Sequence, residues 1–116
     1  MLVHLVLFRP KAQLAAEHRE HLVAALERAH REIAAVRRFR IGRRTLRSAS
    51  YAALSPDYPF LALIEFDDEA SLREYLEHPA HAQLARSFWE TSDAPLAYDY
   101  EVTDASALSG WLGPDA

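Results

Sequence analysis

Cysteine is absent from the 116 residues, and that excludes a disulfide framework, a thiolate nucleophile and a zinc ribbon. Long apolar runs are missing too. No stretch approaches the roughly 20 residues that a helix needs to cross a bilayer, and the N-terminus has no basic segment ahead of a long apolar run, as a secretory leader would. Positive charge is in deficit: 13 Lys and Arg against 17 Asp and Glu leave a net charge of -4, which argues against general nucleic-acid binding. The expectation is a soluble, cytoplasmic single domain with no membrane or nucleic-acid partner. A chain of this length buries roughly two thirds of its unfolded surface around one core.

Arg37, Arg38, Arg40, Arg43, Arg44 and Arg47 crowd one stretch. They could meet phosphate or an acidic partner, but no aromatic stacking platform accompanies them, and a solvated strand face and loop is the better reading.

The apolar pattern gives the elements. Leu2 to Phe8 is a first strand, with Leu2, His4, Val6 and Phe8 on one face and Val3, Leu5 and Leu7 on the other. From about Gln13 to Val36, Leu22, Leu26, Ala29, Ile33 and Val36 recur at steps of three and four, the stripe of a long amphipathic helix. His18 and His21 fall on its surface and lack the spacing of a helical zinc motif. Arg38 to Thr45 is a second strand in which Gly42 marks a bulge or a close backbone approach. Ser48 to Pro59 reads as a loop. Phe60 to Phe66 is the third strand, again with apolar residues on both faces. Asp67 is the expected N-cap of a helix running to Glu77. Leu96 to Val102 is the fourth strand, where Leu96, Tyr98, Tyr100 and Val102 alternate with Ala97, Asp99 and Glu101. The tail from Thr103 to Ala116 reads as irregular. Trp111 either clips it onto the body or a partner chain, or lies in a disordered end.

Candidate chemistry concentrates in Tyr75-Leu76-Glu77-His78-Pro79-Ala80-His81. Pro79 cannot continue a helix from Glu77, yet it suits the first turn of a new one. His78 then falls near the N-cap and His81 in the first turn, where the positive end of the helix dipole favours neutral imidazole. A His78/His81 metal site has no evident third ligand, so no metal is expected. Structural roles stay open for each residue: His78 as a cap, Tyr75 as a buried ring with a wet hydroxyl, His4 as a core histidine.

The order strand, helix, two strands, broken helix, strand is the split βαβ arrangement of ferredoxin-like sheets, an α+β subunit with a four-stranded antiparallel sheet. Right-handed crossovers place the helices on one face and leave the other bare. An uncovered apolar face of that size predicts a homodimer with two sheets packed face to face, a dimeric α/β barrel.

Leu2 to Phe8, Phe66-Asp67-Asp68-Glu69, the Tyr75 to His81 stretch and Tyr98-Asp99-Tyr100 resemble the stress-responsive dimeric α/β-barrel (Dabb) family over residues 1 to about 102. The resemblance implies a barrel domain followed by a tail over 103 to 116. One enzymatic member of that family is a plant polyketide cyclase that works without a cofactor. Its tyrosine and catalytic histidine fall on Tyr75 and His81, and His4 matches another pocket histidine. The run Arg86 to Glu90 also resembles its counterpart. The chain departs at Phe60, where the cyclase carries a histidine, and is shorter between His81 and Arg86.

Aldol cyclisation needs a base for a proton beside a carbonyl and a donor for the resulting oxyanion. His81 and Tyr75 are the candidate catalytic pair. A pocket walled by Leu22, Leu26, Leu72, Leu84, Phe88 and Trp89, with His4 and Phe60 as further ligand-binding candidates, suits a small apolar or aromatic ligand. Three functions fit: a cofactor-free cyclase or lyase, a non-catalytic stress-response binder, or a dimerisation module whose arginine stretch docks a partner.

Overall fold

A computed structural model describes residues 1–113. It contains β1 (Leu2–Phe8), α1 (Ala16–Glu32), β2 (Arg38–Arg43), β3 (Phe60–Phe66), α2 (Glu69–Glu77), α3 (Pro79–Thr91), β4 (Leu96–Glu101) and a short α4 (Leu108–Leu112). The strands form one sheet in the order β2-β3-β1-β4, and every neighbouring pair is antiparallel. This is the expected ferredoxin-like arrangement.

β1 lies at the centre of the sheet. His4 is opposite Ile64 on one side and Asp99 on the other, and Leu5 is opposite Leu63 and Tyr98. Because successive side chains alternate, His4, Val6 and Phe8 share a face with Ala62, Ile64 and Phe66, and all six are buried. Leu22, Ala25 and Ala29 of α1, Leu72 and Tyr75 of α2, and Ala80, Leu84 and Phe88 of α3 cover that face. The His30 ring of α1 meets the edge of Phe39 on β2, and Phe88 of α3 meets Phe8 on β1. So α1 lies toward the β2 side of the sheet, and α3 lies over β1.

Several boundaries differ from the sequence expectation. α1 is shorter than the 13–36 stripe, because Ile33 turns extended (φ -93, ψ 95) at the C-cap. It stays buried there while the chain reverses into β2. Asp68 replaces Asp67 as the cap of α2: its carboxylate accepts the Ser71 N–H at 2.8 Å, and Asp67 is taken by Arg37 at 2.7 Å. The 48–59 loop contains a 3-10 turn over Ser50–Leu54. Gly42 is explained by close approach, since a Cβ there would meet the Leu61 side chain at 3.3 Å, and the β2/β3 register runs through it unbroken. The tail is not irregular throughout: a 3-10 turn at Ala105–Ala107 leads into α4. Residues 114–116 of that expected tail lie outside the described residues.

Four of the six arginines in the stretch are held in ion pairs. Arg37 reaches Asp67, Arg40 reaches Glu65, and Arg44 and Arg47 share Asp57. Arg44 also donates to the Pro56 carbonyl, so it ties the loop before β3 to the end of β2.

Candidate functional site

Pro79 divides the second helical region as its chemistry requires. α2 stops at Glu77, His78 adopts φ -72 and ψ 140, and Pro79 takes the first turn of α3. The His78 Nδ1 accepts the Ala80 N–H at 3.0 Å, so His78 fills the role of a helix cap. His81, three residues on, has a different task. Its Nδ1 lies 3.1 Å from the Leu76 carbonyl. A carbonyl only accepts, so Nδ1 carries the proton and Nε2 keeps the lone pair.

That lone pair belongs to a ring facing a cavity of about 260 Å³ between the sheet and α2/α3. β1 contributes His4 and Val6, α2 contributes Tyr75 and Leu76, α3 contributes His81, Leu84, Ala85, Phe88 and Trp89, and Pro95 precedes the Leu96 and Ala97 that β4 contributes. The polar groups cluster at one end. The Tyr75 and His81 ring centroids are 4.7 Å apart, Tyr75 and His4 5.6 Å, and His4 and His81 6.2 Å. The rest of the lining is apolar, and among the described residues no lysine, arginine or carboxylate is part of it.

Burial tunes Tyr75 and His81. Burial pushes the Tyr75 phenol well above its ordinary value of 10.0, so it stays a protonated donor at neutral pH. Burial, reinforced by the nearby His4, pulls His81 below the ordinary 6.5, against the opposing pull of the Leu76 carbonyl and Asp99. The helix N-terminus suggested a neutral His81; desolvation and a second imidazole are the larger causes. His4 is 5% exposed and its Nδ1 lies 2.6 Å from Asp99 Oδ1. A carboxylate accepts, so here too Nδ1 is the donor.

β4 enters the site through an unusual turn. Ala94 sits at φ 44, a left-handed conformation that costs a non-glycine residue roughly 1 kcal/mol. The Tyr58 hydroxyl donates to its carbonyl at 2.8 Å, and the next residue, Pro95, lines the cavity.

Of the residues expected from sequence, the structure brings His4, Tyr75, His81, Leu84, Phe88 and Trp89 to one cavity. Trp89 is 67% exposed, which makes it part of the mouth. Leu22, Leu26, Leu72 and Phe60 lie elsewhere. Leu22 and Leu26 belong to α1, on the far side of α3 from β4, and Leu72 is core. Phe60 is opposite Phe8, to which its ring stacks at 5.5 Å. Phe8 is four steps along β1 from His4, which puts Phe60 about 13 Å along the strand from the imidazoles.

Sequence reasoning missed Asp99 and the β4 wall. Asp99 becomes visible only with the β1/β4 register, which sets it opposite His4. One signal was available: the small and acidic residues of β4 form one face and the large apolar ones the other. The structure turns Ala97 and Asp99 toward the helices and Tyr98 and Tyr100 away, in line with Val6, His4, Leu5 and Val3 respectively.

Comparison with known proteins agrees with the fold. An Arabidopsis thaliana protein of known structure is 25% identical and superposes with a TM-score of 0.73, covering 90% of this chain and 98% of its own. A dimeric ferredoxin-like protein of unknown function from Jannaschia sp. is 26% identical, with a TM-score of 0.70 over 87% of this chain and 98% of its own. The hydroxynitrile lyase of Passiflora edulis shares the fold at 13% identity, with a TM-score of 0.75 over 90% of this chain and 94% of its own. No curated protein matches the sequence. The model of the stress responsive A/B barrel domain matches residues 2–102, and the chain belongs to that Dabb family.

Proposed function

We propose that this protein is a cytoplasmic homodimer that carries out cofactor-independent general-base chemistry on a small, neutral, apolar or aromatic carbonyl compound, as a cyclase or lyase. The observation that carries the reading is the Tyr75/His81 pair: a fixed Nδ1–H tautomer, a free Nε2 and a buried phenol at the polar end of an apolar cavity. In this reading His81 Nε2 takes the proton from the carbon beside the carbonyl. The C–H electrons form the enolate double bond, and the Tyr75 O–H donates to the enolate oxygen. The enolate carbon then closes on a second carbonyl, and the proton held by His81 passes to the new alkoxide. Reversal of the same steps is a lyase reaction. His4, held by Asp99, stands as the second polar contact for the ligand.

The absence of a cationic side chain from the lining favours a neutral ligand over a carboxylate or phosphate. Similarity of fold to a hydroxynitrile lyase supports the view that this architecture can host chemistry on a carbonyl carbon, and dimeric relatives support the homodimer.

Acetophenone, a neutral aryl ketone, provides a direct test through exchange of its methyl protons in D2O, followed by 1H NMR. The wild-type protein should accelerate exchange, His81→Ala should lower the protein-dependent rate by about 100-fold or more, and Tyr75→Phe by about 100-fold. Exchange unaffected by either substitution would contradict the roles given to both residues.

A further inference from the structure

The segment after β4 is shaped for burial and yet lies in the open. α4 carries Leu108, Trp111 and Leu112 at steps of three and four, the spacing of an apolar helical stripe, and all three are more than half exposed. The remaining positions of the helix are Ser109 and Gly110, so it has a distinct apolar side. Within the described residues its main packing is against the 3-10 turn that precedes it. The Cα radius of gyration is 16.2 Å and the longest dimension 52 Å, against about 13 Å of radius for a compact chain of this length. The family domain ends at residue 102, so the arm is an addition to the barrel.

The arm also starts at a telling place. β4 is an edge strand, and its Tyr98 and Tyr100, with Val102 just beyond, expose large apolar surface on the side of the sheet away from the helices. That side continues over the half-buried Leu5 and Leu63, with Val3 buried beside them. A chain leaving this edge at Val102 begins at the rim of the sheet-to-sheet contact of a dimer, within reach of the other protomer.

We propose that α4 packs on a second copy of this chain, so that the two protomers exchange C-terminal arms beside the paired sheets. Leu108, Trp111 and Leu112 are the anchors, and the acceptor is the apolar surface bordering the partner's open sheet face. The inference rests on the homodimer of the preceding section and adds to it the element that locks the pair.

The lack of native cysteine makes a direct test clean. Ser109→Cys in the full-length chain gives one thiol, to which a benzophenone maleimide is attached. Labelled and unlabelled chains are mixed as 15N and natural-abundance protein, irradiated and analysed by mass spectrometry, with sedimentation run in parallel. Cross-links joining 15N to 14N chains are expected, together with at least a tenfold rise in the dimer dissociation constant for Trp111→Ala. A dimer whose cross-links all stay within one chain, or whose dissociation constant is unmoved by Trp111→Ala, overturns the arm exchange and leaves the homodimer standing. A wild-type chain that sediments as a monomer overturns both.

Discussion

The two faces of the sheet are written in the same alphabet and end up with different fates. Along β1, His4, Val6 and Phe8 point to the helices and Val3, Leu5 and Leu7 point away, yet both sets are apolar apart from one imidazole. The inner set is filled by three helices and gives the core. In the outer set Val3 is buried and Leu5 and Leu7 are half-buried, and its β4 margin, Tyr98 and Tyr100, remains 43% and 53% exposed. Each face also holds one buried ionisable group with a partner: His4 with Asp99 inside, Glu65 with Arg40 outside. The inner group opens onto a cavity. The contrast separates two jobs. The face covered by the chain itself has the rigid, desolvated surroundings that tune titratable groups, and the uncovered face has the surface that assembly requires.

Adjacent residues of β3 allow the contrast to be broken most sharply. Ile64 is 1% exposed on the inner face, and Ile64→Ala should destabilise the fold by about 2 to 5 kcal/mol in urea titrations. Leu63→Ala, on the outer face, should cost less, and its cost should depend on protein concentration because the residue falls on the sheet-to-sheet contact of the proposed dimer. Equal, concentration-independent losses would abolish the distinction. Leu5→Asp goes further on the outer face, placing a charge between Leu63 and Tyr98. By sedimentation it should raise the dimer dissociation constant by about 100-fold, equivalent to ~2.8 kcal/mol, with the far-ultraviolet circular dichroism unchanged.

A smaller effect separates the two histidines that flank Pro79. His78→Ala removes the cap of α3 and should cost about 1 kcal/mol of stability with acetophenone exchange retained. His78→Asn should restore most of the loss. The smallest effect is on pH dependence. The folded state holds His81 below its ordinary 6.5, so the unfolded chain binds more protons as pH falls from 6.5 through the lowered folded value, and stability drops over that window. His81→Gln should flatten that part of the profile of thermal midpoint against pH. A variant profile that follows the wild type would deny burial its role.

Much of the fold was legible because the two periods of apolar residues are strong and Pro79 leaves little choice about where a helix ends. The open face was legible for the same reason, since Val3, Leu5, Leu7, Leu61 and Leu63 exceed what one helical layer can cover. Boundaries were less so. Ile33 continues the helical stripe in sequence and leaves the helix in space, because a turn into β2 buries it equally well. In the site, Tyr75, His81, Leu84, Phe88 and Trp89 came together because they share one broken helix. Leu26, Leu72 and Phe60 did not, because the cavity lies between α3 and β4, and spacing alone says nothing about which gap between elements is left unfilled. Asp99 required the strand register.

The central claim is that His81 is a neutral base with its lone pair on Nε2. The direct measurement is a long-range 1H–15N correlation spectrum of the imidazoles, followed across a pH titration. The account predicts a His81 signal of the Nδ1–H tautomer with a midpoint below 6.5, the ordinary value. An Nε2–H tautomer, or a midpoint at or above that value, would contradict it.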